Sequence, residues 1–128
     1  MRIKNNQAIL NAPFGSILLT FADGDLIKCE LSEAAVEEDL GSFVGHKAVK
    51  ALQSYLKGDI HVLDSWKPSE DGTEFRRRVW KEIAKVRAGD TVTYGQIADS
   101  LDSSPRAVGS ACGDNPLPIF VGCHRVVG

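Results

Sequence analysis

Near the end of the sequence a cysteine, a histidine and an arginine stand side by side, as Cys123, His124 and Arg125 within VGCHRVVG. A thiol attacks as its thiolate, and an unperturbed cysteine, with a pKa of about 8.5, is mostly protonated at neutral pH. A nearby imidazole can take the proton directly or through one water, and adjacent positive charge lowers the thiol pKa further. Two interpretations follow: Cys123 is a reactive nucleophile, or it is a buried small hydrophobic residue, the usual fate of a lone cysteine.

The reactive interpretation places a demand on the backbone. Neighbouring residues of a strand point to opposite faces, so Cys123 and His124 can cooperate only if the chain turns between them. Gly122, directly before the thiol, makes such a turn easier. The reactive interpretation therefore requires a turn at this point.

Composition limits the classes of protein to which the chain can belong. Its 128 residues are 43% hydrophobic and 25% charged, which is typical of a globular protein with one core or two small lobes. Its three cysteines include no CxxC pair, which argues against a disulfide framework and excludes a four-thiolate metal site. Apolar runs such as ILLTF are too short for a membrane span, and no signal peptide is evident. We expect a cytoplasmic protein, or a nuclear one in a cell with a nucleus, and no membrane association.

The net charge of −2 hides an asymmetry along the chain. Residues 1–72 hold 7 Lys or Arg against 11 Asp or Glu, a net charge of −4, whereas residues 73–128 hold 8 against 6, a net charge of +2. A mildly basic C-terminal part permits nucleic-acid binding without demanding it.

The first part of the chain has the pattern of a small α/β lobe. Two β-rich runs, at 15–21 and 26–31, are separated by an Asp-Gly pair, a strong hairpin signal, and Cys29 on the second run is expected in the core. Apolar residues at spacings of three and four predict a helix over 44–57, and a short strand is expected at 60–63. The stretch KPSEDGT, residues 67–73, has the composition of a linker.

The second part is mainly helical. Thr73 can cap a helix running to about residue 86, and two shorter helices are predicted at 94–101 and 105–112, with Pro105 suited to a first helical turn. Two short helices joined by a tight polar turn indicate a helix-turn-helix, although a plain helical hairpin has the same spacing. The predicted fold class is α/β (α+β): an N-terminal lobe over 1–72, then a helix-turn-helix, winged-helix-like domain over 73–128.

Five motifs of the second part occur together in a distinctive order. They are F-x-x-x-V-W in the first helix, T-Y-x-x-I-A, R-A-V-G, N-P-x-P, and C-H-R-V. With these motifs, residues 73–128 strongly resemble the C-terminal domain of the O6-alkylguanine-DNA alkyltransferases, the methylated-DNA–protein-cysteine methyltransferases. Residues 1–72 resemble the variable N-terminal lobe of that family in length and pattern only.

The resemblance implies direct repair of alkylated DNA, without cofactor or metal, by a monomer that binds double-stranded DNA containing O6-alkylguanine. A helix-turn-helix docks in the minor groove, and the damaged guanine is flipped out, because a stacked base hides its O6 substituent from an enclosed active site. The thiolate then takes the alkyl group and keeps it as a stable thioether. Each molecule therefore acts once.

The chemical roles carry over to individual residues of this sequence. By resemblance, Cys123 is the alkyl acceptor and His124 the imidazole that deprotonates it through a water. Tyr94 helps to rotate the nucleotide and to deliver a proton to the leaving guanine; alternatively, Tyr94 is an ordinary half-buried helix aromatic.

The DNA-binding roles carry over in the same way. Arg106 matches the arginine that fills the gap left by the flipped base, although it could instead only contact a phosphate. Small Ala107 and Gly109 would let the helix approach the groove closely, and Thr93 and Gly95 are assigned to the same DNA-binding surface.

Three further residues are assigned to the hinge and pocket. Asn115 matches the hinge asparagine, whose amide can hold the 115–123 turn by hydrogen bonds to backbone; alternatively, it is a routine turn residue before proline. Cys112 is expected to line the base pocket as wall, and Val126 to pack near the alkyl group.

The sequence also departs from the family pattern. Gly122 stands where the family has proline, which removes a fixed φ before the nucleophile, and Asp114 adds negative charge where DNA phosphates should pass. The family continues with a glycine-containing loop and a helix whose glutamate orients the histidine, whereas this sequence ends at Gly128. The resemblance thus predicts an alkyltransferase domain that is incomplete at its C-terminus, either a truncated form of an active protein or a short version with weak or no transfer.

Two other functions are compatible with parts of the sequence. A non-enzymatic lesion-binding protein of the alkyltransferase-like type would share the helix-turn-helix and the arginine, but such proteins usually replace the cysteine, which this chain retains. A hydrolase with a Cys-His pair would need a separate oxyanion site and gives no reason for R-A-V-G.

Overall fold

The computed structural model describes residues 3–128, which fall into two compact units. The first ends at Val62 and the second runs from Leu63 to Gly128, whereas the sequence suggested a boundary between residues 72 and 73. The stretch before residue 73 joins the second unit because it packs there: Leu63 is buried, and the Trp66 ring lies 4.9 Å from that of Phe120.

The first unit is built on a three-stranded antiparallel sheet with the order β1-β2-β3. Its strands are β1 (Gln7–Ala12), β2 (Gly15–Ala22) and β3 (Asp25–Ser32). Asp23 and Gly24 both have positive φ, 51° and 82°, as a type I′ turn requires, so the predicted Asp-Gly hairpin is confirmed. Cys29 is buried in β3 as predicted, and burial raises the pKa of its thiol to about 12, with a smaller contribution from the charge of Glu30.

Helix α1 (Lys47–Leu56) completes the first unit. His46 caps it: Nδ1 accepts a hydrogen bond from the Ala48 N–H at 3.0 Å, which leaves Nε2 to donate to the Gly24 carbonyl at 2.7 Å. The strand predicted at 60–63 is wrong. These residues form turns, and Ile60 is 49% exposed; a β-rich run becomes a strand only with a partner, and within residues 3–128 this run has none.

The second unit combines three helices with a small parallel ladder. In chain order it contains α2 (Glu74–Ala84), β4 (Val92–Thr93), α3 (Tyr94–Ser100), α4 (Pro105–Gly113), a 3-10 turn (Cys123–Arg125) and β5 (Val126–Val127). The mixed α/β fold class is therefore confirmed. No helix within residues 3–128 is long and apolar enough to cross a bilayer.

Helix α2 anchors the helical pair α3–α4. Thr73 caps it as predicted, its hydroxyl accepting from the Arg76 N–H at 3.2 Å, and its apolar side buries Val79, Trp80 and Ile83. The indole Nε1 of Trp80 donates to the Ala111 carbonyl at 2.9 Å, which ties α2 to α4 inside the core.

The turn between α3 and α4 has a defined hydrogen-bonding pattern. The Ser103 N–H donates to the Ala98 carbonyl at 2.8 Å while Asp102 adopts a left-handed φ of 53°, the arrangement of a Schellman cap. Ser104 then caps α4 by accepting from the Ala107 N–H at 3.2 Å, and Pro105 occupies its first turn. These two caps fix where one helix ends and the next begins.

Candidate active site

The chain turns sharply at the cysteine. Gly122 has φ −77° and ψ 66°, and the Cys123 N–H donates to the Val121 carbonyl at 2.9 Å, which is an inverse γ-turn. The 3-10 turn begins at Cys123, so the thiol and His124 do not alternate as they would on a strand. The φ of Gly122 lies within the range that proline imposes, so glycine here reaches the backbone conformation that the family proline would preset.

Asn115 holds this turn from the end of α4. Its Oδ1 accepts from the Leu117 N–H at 3.0 Å, which fixes the orientation of the amide. Its Nδ2 donates to the Val121 carbonyl at 3.0 Å and to the Cys123 sulfur at 3.3 Å. One side chain therefore braces the loop and places a hydrogen-bond donor on the thiol.

Cys112 supplies a second contact from α4. A hydrogen bond from the Cys112 thiol lowers the pKa of Cys123, burial raises it, and the bond from Asn115 lowers it again; the balance lies below the usual range. In its protonated form the Cys123 thiol donates to the Cys112 carbonyl at 3.6 Å, an ordinary distance for a sulfur donor, and this bond favours the thiol over the thiolate. The causes that lower the pKa of Cys123 outweigh those that raise it, so the site favours the thiolate.

The same pair raises the pKa of Cys112. Its hydrogen bond to Cys123 is the largest cause, followed by burial and by the negative charge that develops on Cys123. Cys112 thus stays protonated and Cys123 ionises first, which distinguishes the nucleophile from its neighbour.

His124 is exposed on the 3-10 turn, and its side chain forms no hydrogen bond or ion pair with any other residue between 3 and 128. Partial loss of hydration lowers its pKa, and the adjacent charge of Arg125 lowers it further. A neutral imidazole at this position can accept a proton through water.

Tyr94 and Thr93 stand at the start of α3. The Thr93 hydroxyl accepts from the Gln96 N–H at 2.9 Å and the Gln96 side chain accepts from the Thr93 N–H at 2.8 Å, a complete capping box. Tyr94 is half-buried beside α4, where a Cβ added to Gly109 would lie 3.9 Å from its ring. Gly95 follows, and a Cβ added there would meet only the Thr93 hydroxyl, at 3.8 Å.

Arg106 projects from the first turn of α4. It is exposed and forms no ion pair with the rest of the described chain, residues 3–128, while Ala107 beside it is half-buried. A guanidinium in this state is available to a phosphate or to the groove of a duplex.

Val126 lies buried where β5 pairs with β4. The parallel ladder joins Val92 to Val126 and Thr93 to Val127. The structure thus gathers Cys123, Cys112 and Asn115 at one point and joins the end of the reactive turn to the start of α3.

Comparison with known proteins agrees with this geometry. A profile described as the 6-O-methylguanine DNA methyltransferase, DNA binding domain, matches residues 74–128. A Metallosphaera sedula protein named methylated-DNA–protein-cysteine methyltransferase is 39% identical over 118 residues, covering 91% of this chain and 74% of its own length. This chain belongs to that methyltransferase family.

Solved structures of the family share the fold of this methyltransferase. The O6-methylguanine methyltransferase of Mycobacterium tuberculosis superposes with a TM-score of 0.73 at 32% identity, covering 96% of this chain and 78% of that one. A second structure, of Mycobacterium tuberculosis OGT in complex with DNA, gives a TM-score of 0.69 at 32% identity, covering 95% and 78%. The resemblance drawn from the five sequence motifs is therefore confirmed.

Two residues of this methyltransferase, Asp114 and Arg125, form contacts that the sequence did not suggest. Asp114 was expected to oppose DNA phosphates, yet its carboxylate pairs with Arg76 at 2.8 Å, which offsets that charge. Arg125, to which no role was assigned, is buried and reaches Asp64, nearly half the chain away in sequence. No local pattern signals such a pair; the one available hint was a charged residue within an otherwise apolar frame.

Proposed function

We propose that this protein repairs O6-alkylguanine in double-stranded DNA by moving the alkyl group irreversibly onto the sulfur of Cys123. Family membership supports DNA as the partner, and the observation that carries the chemistry is the Asn115 amide, which donates to the Cys123 sulfur at 3.3 Å. A thiolate is the form of cysteine that attacks carbon.

The reaction follows from the groups around the sulfur. The Cys123 thiolate attacks the alkyl carbon; a sulfur–carbon bond forms as the bond from that carbon to guanine O6 breaks. The guanine leaves with the electron pair and takes up a proton, for which Tyr94 is the proposed source. His124, held neutral by its surroundings, receives the thiol proton through water. The thioether that remains gives water no good leaving group, so the protein acts once.

Access to the damaged base requires extrusion from the duplex. Arg106 is exposed near the start of α4, and we assign it to the gap that the flipped base leaves in the duplex. The small residues Ala107 and Gly109 would let α4 approach the groove closely. Thr93 and Gly95, at the start of α3, are assigned to the same surface. Asn115 is assigned to the hinge that holds the nucleophile, Cys112 to the wall of the base pocket, and Val126 to the surroundings of the alkyl group.

We further propose that the protein works as a monomer in the cytoplasm, or in the nucleus of a cell that has one. All three cysteines are free thiols, as a reducing compartment would keep them, and one thiol with its own donors needs no second copy. Light scattering with and without lesion DNA tests the monomer, and imaging of a tagged chain tests the location.

Intact-mass measurement tests the reaction. The protein is incubated with a duplex containing O6-methylguanine, and we expect a gain of one methylene unit that maps to the Cys123 peptide. Cys123→Ser should bind lesion DNA and gain nothing, whereas Cys112→Ser, the matched thiol control, should still become methylated. Binding without any mass gain in the wild-type chain would refute alkyl transfer and indicate a lesion-binding protein.

A second measurement separates extrusion from general DNA affinity. With 2-aminopurine next to the lesion, fluorescence reports unstacking. We expect Arg106→Ala to reduce this signal much more than it reduces salt-sensitive binding to undamaged duplex. An equal loss in both would assign Arg106 to phosphate contact alone.

A further inference from the structure

Arg125 is a buried charge two residues after the proposed nucleophile. Its side chain is 8% exposed, although it occupies a short turn whose other residues, Cys123 and His124, reach the surface. Burying a guanidinium is costly unless it is paired and hydrogen-bonded, so a charge in this place indicates a specific use.

The guanidinium of Arg125 contacts residues on both sides of helix α2 in the sequence. Its Nη1 donates to the Val86 carbonyl at 2.8 Å and lies 3.7 Å from Oδ1 of Asp64, whose side chain is 12% exposed. The same Oδ1 accepts from the Ala88 N–H at 2.9 Å, so the carboxylate is itself held in place. Asp64 and the Val86 carbonyl thus form the anchor of the Arg125 side chain.

At its other end Arg125 holds the residue before the nucleophile. Its backbone N–H donates to the Gly122 carbonyl at 2.9 Å, and its side chain lies against Gly122. A Cβ added to Gly122 would lie 3.0 Å from both Cδ and Nε of Arg125. The backbone and the side chain of Arg125 therefore both contact Gly122, the residue that precedes Cys123.

We propose that Arg125, anchored by Asp64 and the Val86 carbonyl, is the positioning residue that sets the Cys123 turn for alkyl transfer. The inference rests on the proposed function and adds to it the group that fixes the angle of attack. Displacement at carbon requires sulfur, carbon and leaving oxygen in line, and a misplacement of about 1 Å can cost roughly 100-fold in rate. The charge of Arg125 also helps to keep His124 neutral.

Single-turnover kinetics test this role, because they separate affinity for the lesion duplex from the transfer rate at saturating duplex. For Arg125→Met we expect the saturating rate to fall roughly 10- to 100-fold while the dissociation constant changes by about twofold or less. Arg125→Lys should recover part of the rate, since an ammonium can reach the anchor but cannot cover Gly122 as a planar guanidinium does.

The Asp64→Asn variant tests the anchor, and a substitution of Arg87, a second arginine that contacts Asp64, is the control. Asp64→Asn retains an oxygen for the Ala88 N–H and loses the charge, so we expect a smaller fall in the saturating rate. Combined with Arg125→Met, it should add nothing further if Asp64 acts through Arg125. Arg87→Met is the control: Arg87 also contacts Asp64, at 3.4 Å, but its side chain is 69% exposed and its rate should match wild type.

The possible results distinguish the positioning role of Arg125 from the proposed function. Thermal melting first establishes that the variants fold; should Arg125→Met fail to fold, Asp64→Asn and Arg125→Lys decide the question. A wild-type saturating rate in the folded variants, or a loss confined to DNA affinity, overturns the positioning role while leaving the proposed function intact. A wild-type chain that takes up no methyl group overturns the proposed function, and this inference with it.

Discussion

Replacing Asn115 by alanine should raise the pKa of Cys123 and slow alkyl transfer in a way that pH can reverse. The side chain gives the sulfur one hydrogen bond, at 3.3 Å. A hydrogen bond to a charged group contributes about 1.5–3 kcal/mol, and Cys123 is only partly buried, which argues for the lower end. Because one pKa unit corresponds to about 1.4 kcal/mol, the pKa should rise by about one unit and the thiolate present at neutral pH should fall about tenfold.

The assay follows methyl transfer from an O6-methylguanine duplex between neutral and alkaline pH. Iodoacetamide labelling, read on the Cys123 peptide by mass spectrometry, reports the thiol pKa without DNA. Asn115→Ala should be slow at neutral pH and should approach the wild-type rate above the raised pKa, where both proteins are ionised. Cys29 and Cys112, whose pKa values are raised, should label slowly throughout.

Asn115→Asp sharpens the experiment because it keeps the Oδ1 that receives the Leu117 N–H. It places a carboxylate oxygen where the amide nitrogen stood, and two unit charges 3.3 Å apart repel by about 5 kcal/mol at an effective dielectric constant of about 20. Even a fraction of that energy should raise the pKa of Cys123 more than alanine does. A pKa unchanged in both variants, or a rate equally low at every pH, would refute the assignment of Asn115 as the donor that favours the thiolate.

Three further outcomes are expected. Cys112→Ala should also raise the pKa of Cys123, since it removes the other donor, whereas Cys112→Ser should raise it less; peptide-resolved labelling across pH measures both. Asp102→Gly should increase the free energy of unfolding by about 0.5–1 kcal/mol, because glycine adopts the left-handed φ of 53° without strain; urea denaturation measures it, and a loss of stability would contradict the cap. Trp80→Phe should lower that free energy by about 1–2 kcal/mol, because the Ala111 carbonyl loses its indole donor; the same denaturation, with the helical circular dichroism unchanged, is the check.

The parts of the fold that the sequence could predict are those with local causes. Thr73 and the Ser104-Pro105 pair mark helix starts because a cap needs only residues a few positions away. The Asp23-Gly24 turn follows from backbone preferences of two residues. The reactive turn could be expected for the same reason, since a glycine precedes the thiol.

What the sequence could not predict depends on partners far away along the chain. Arg125 and Asp64 meet only after helix α2 has packed, and nothing near either residue signals the other. The contact of Cys112 with Cys123 likewise requires the loop after α4 to fold back. The run at 60–63 has strand-forming residues, but it forms turns because no neighbouring strand is available to it among the described residues.

The ladder between β4 and β5 has a mechanical consequence. Two residue pairs, Val92 with Val126 and Thr93 with Val127, attach the segment that launches α3 to the segment that ends the reactive turn. The helical pair α3–α4 is thus joined to the turn that carries Cys123 by backbone hydrogen bonds as well as by the chain itself. We therefore expect the Cys123 sulfur to keep its position relative to α3 when DNA binds, so that the extruded nucleotide covers the distance to the thiol.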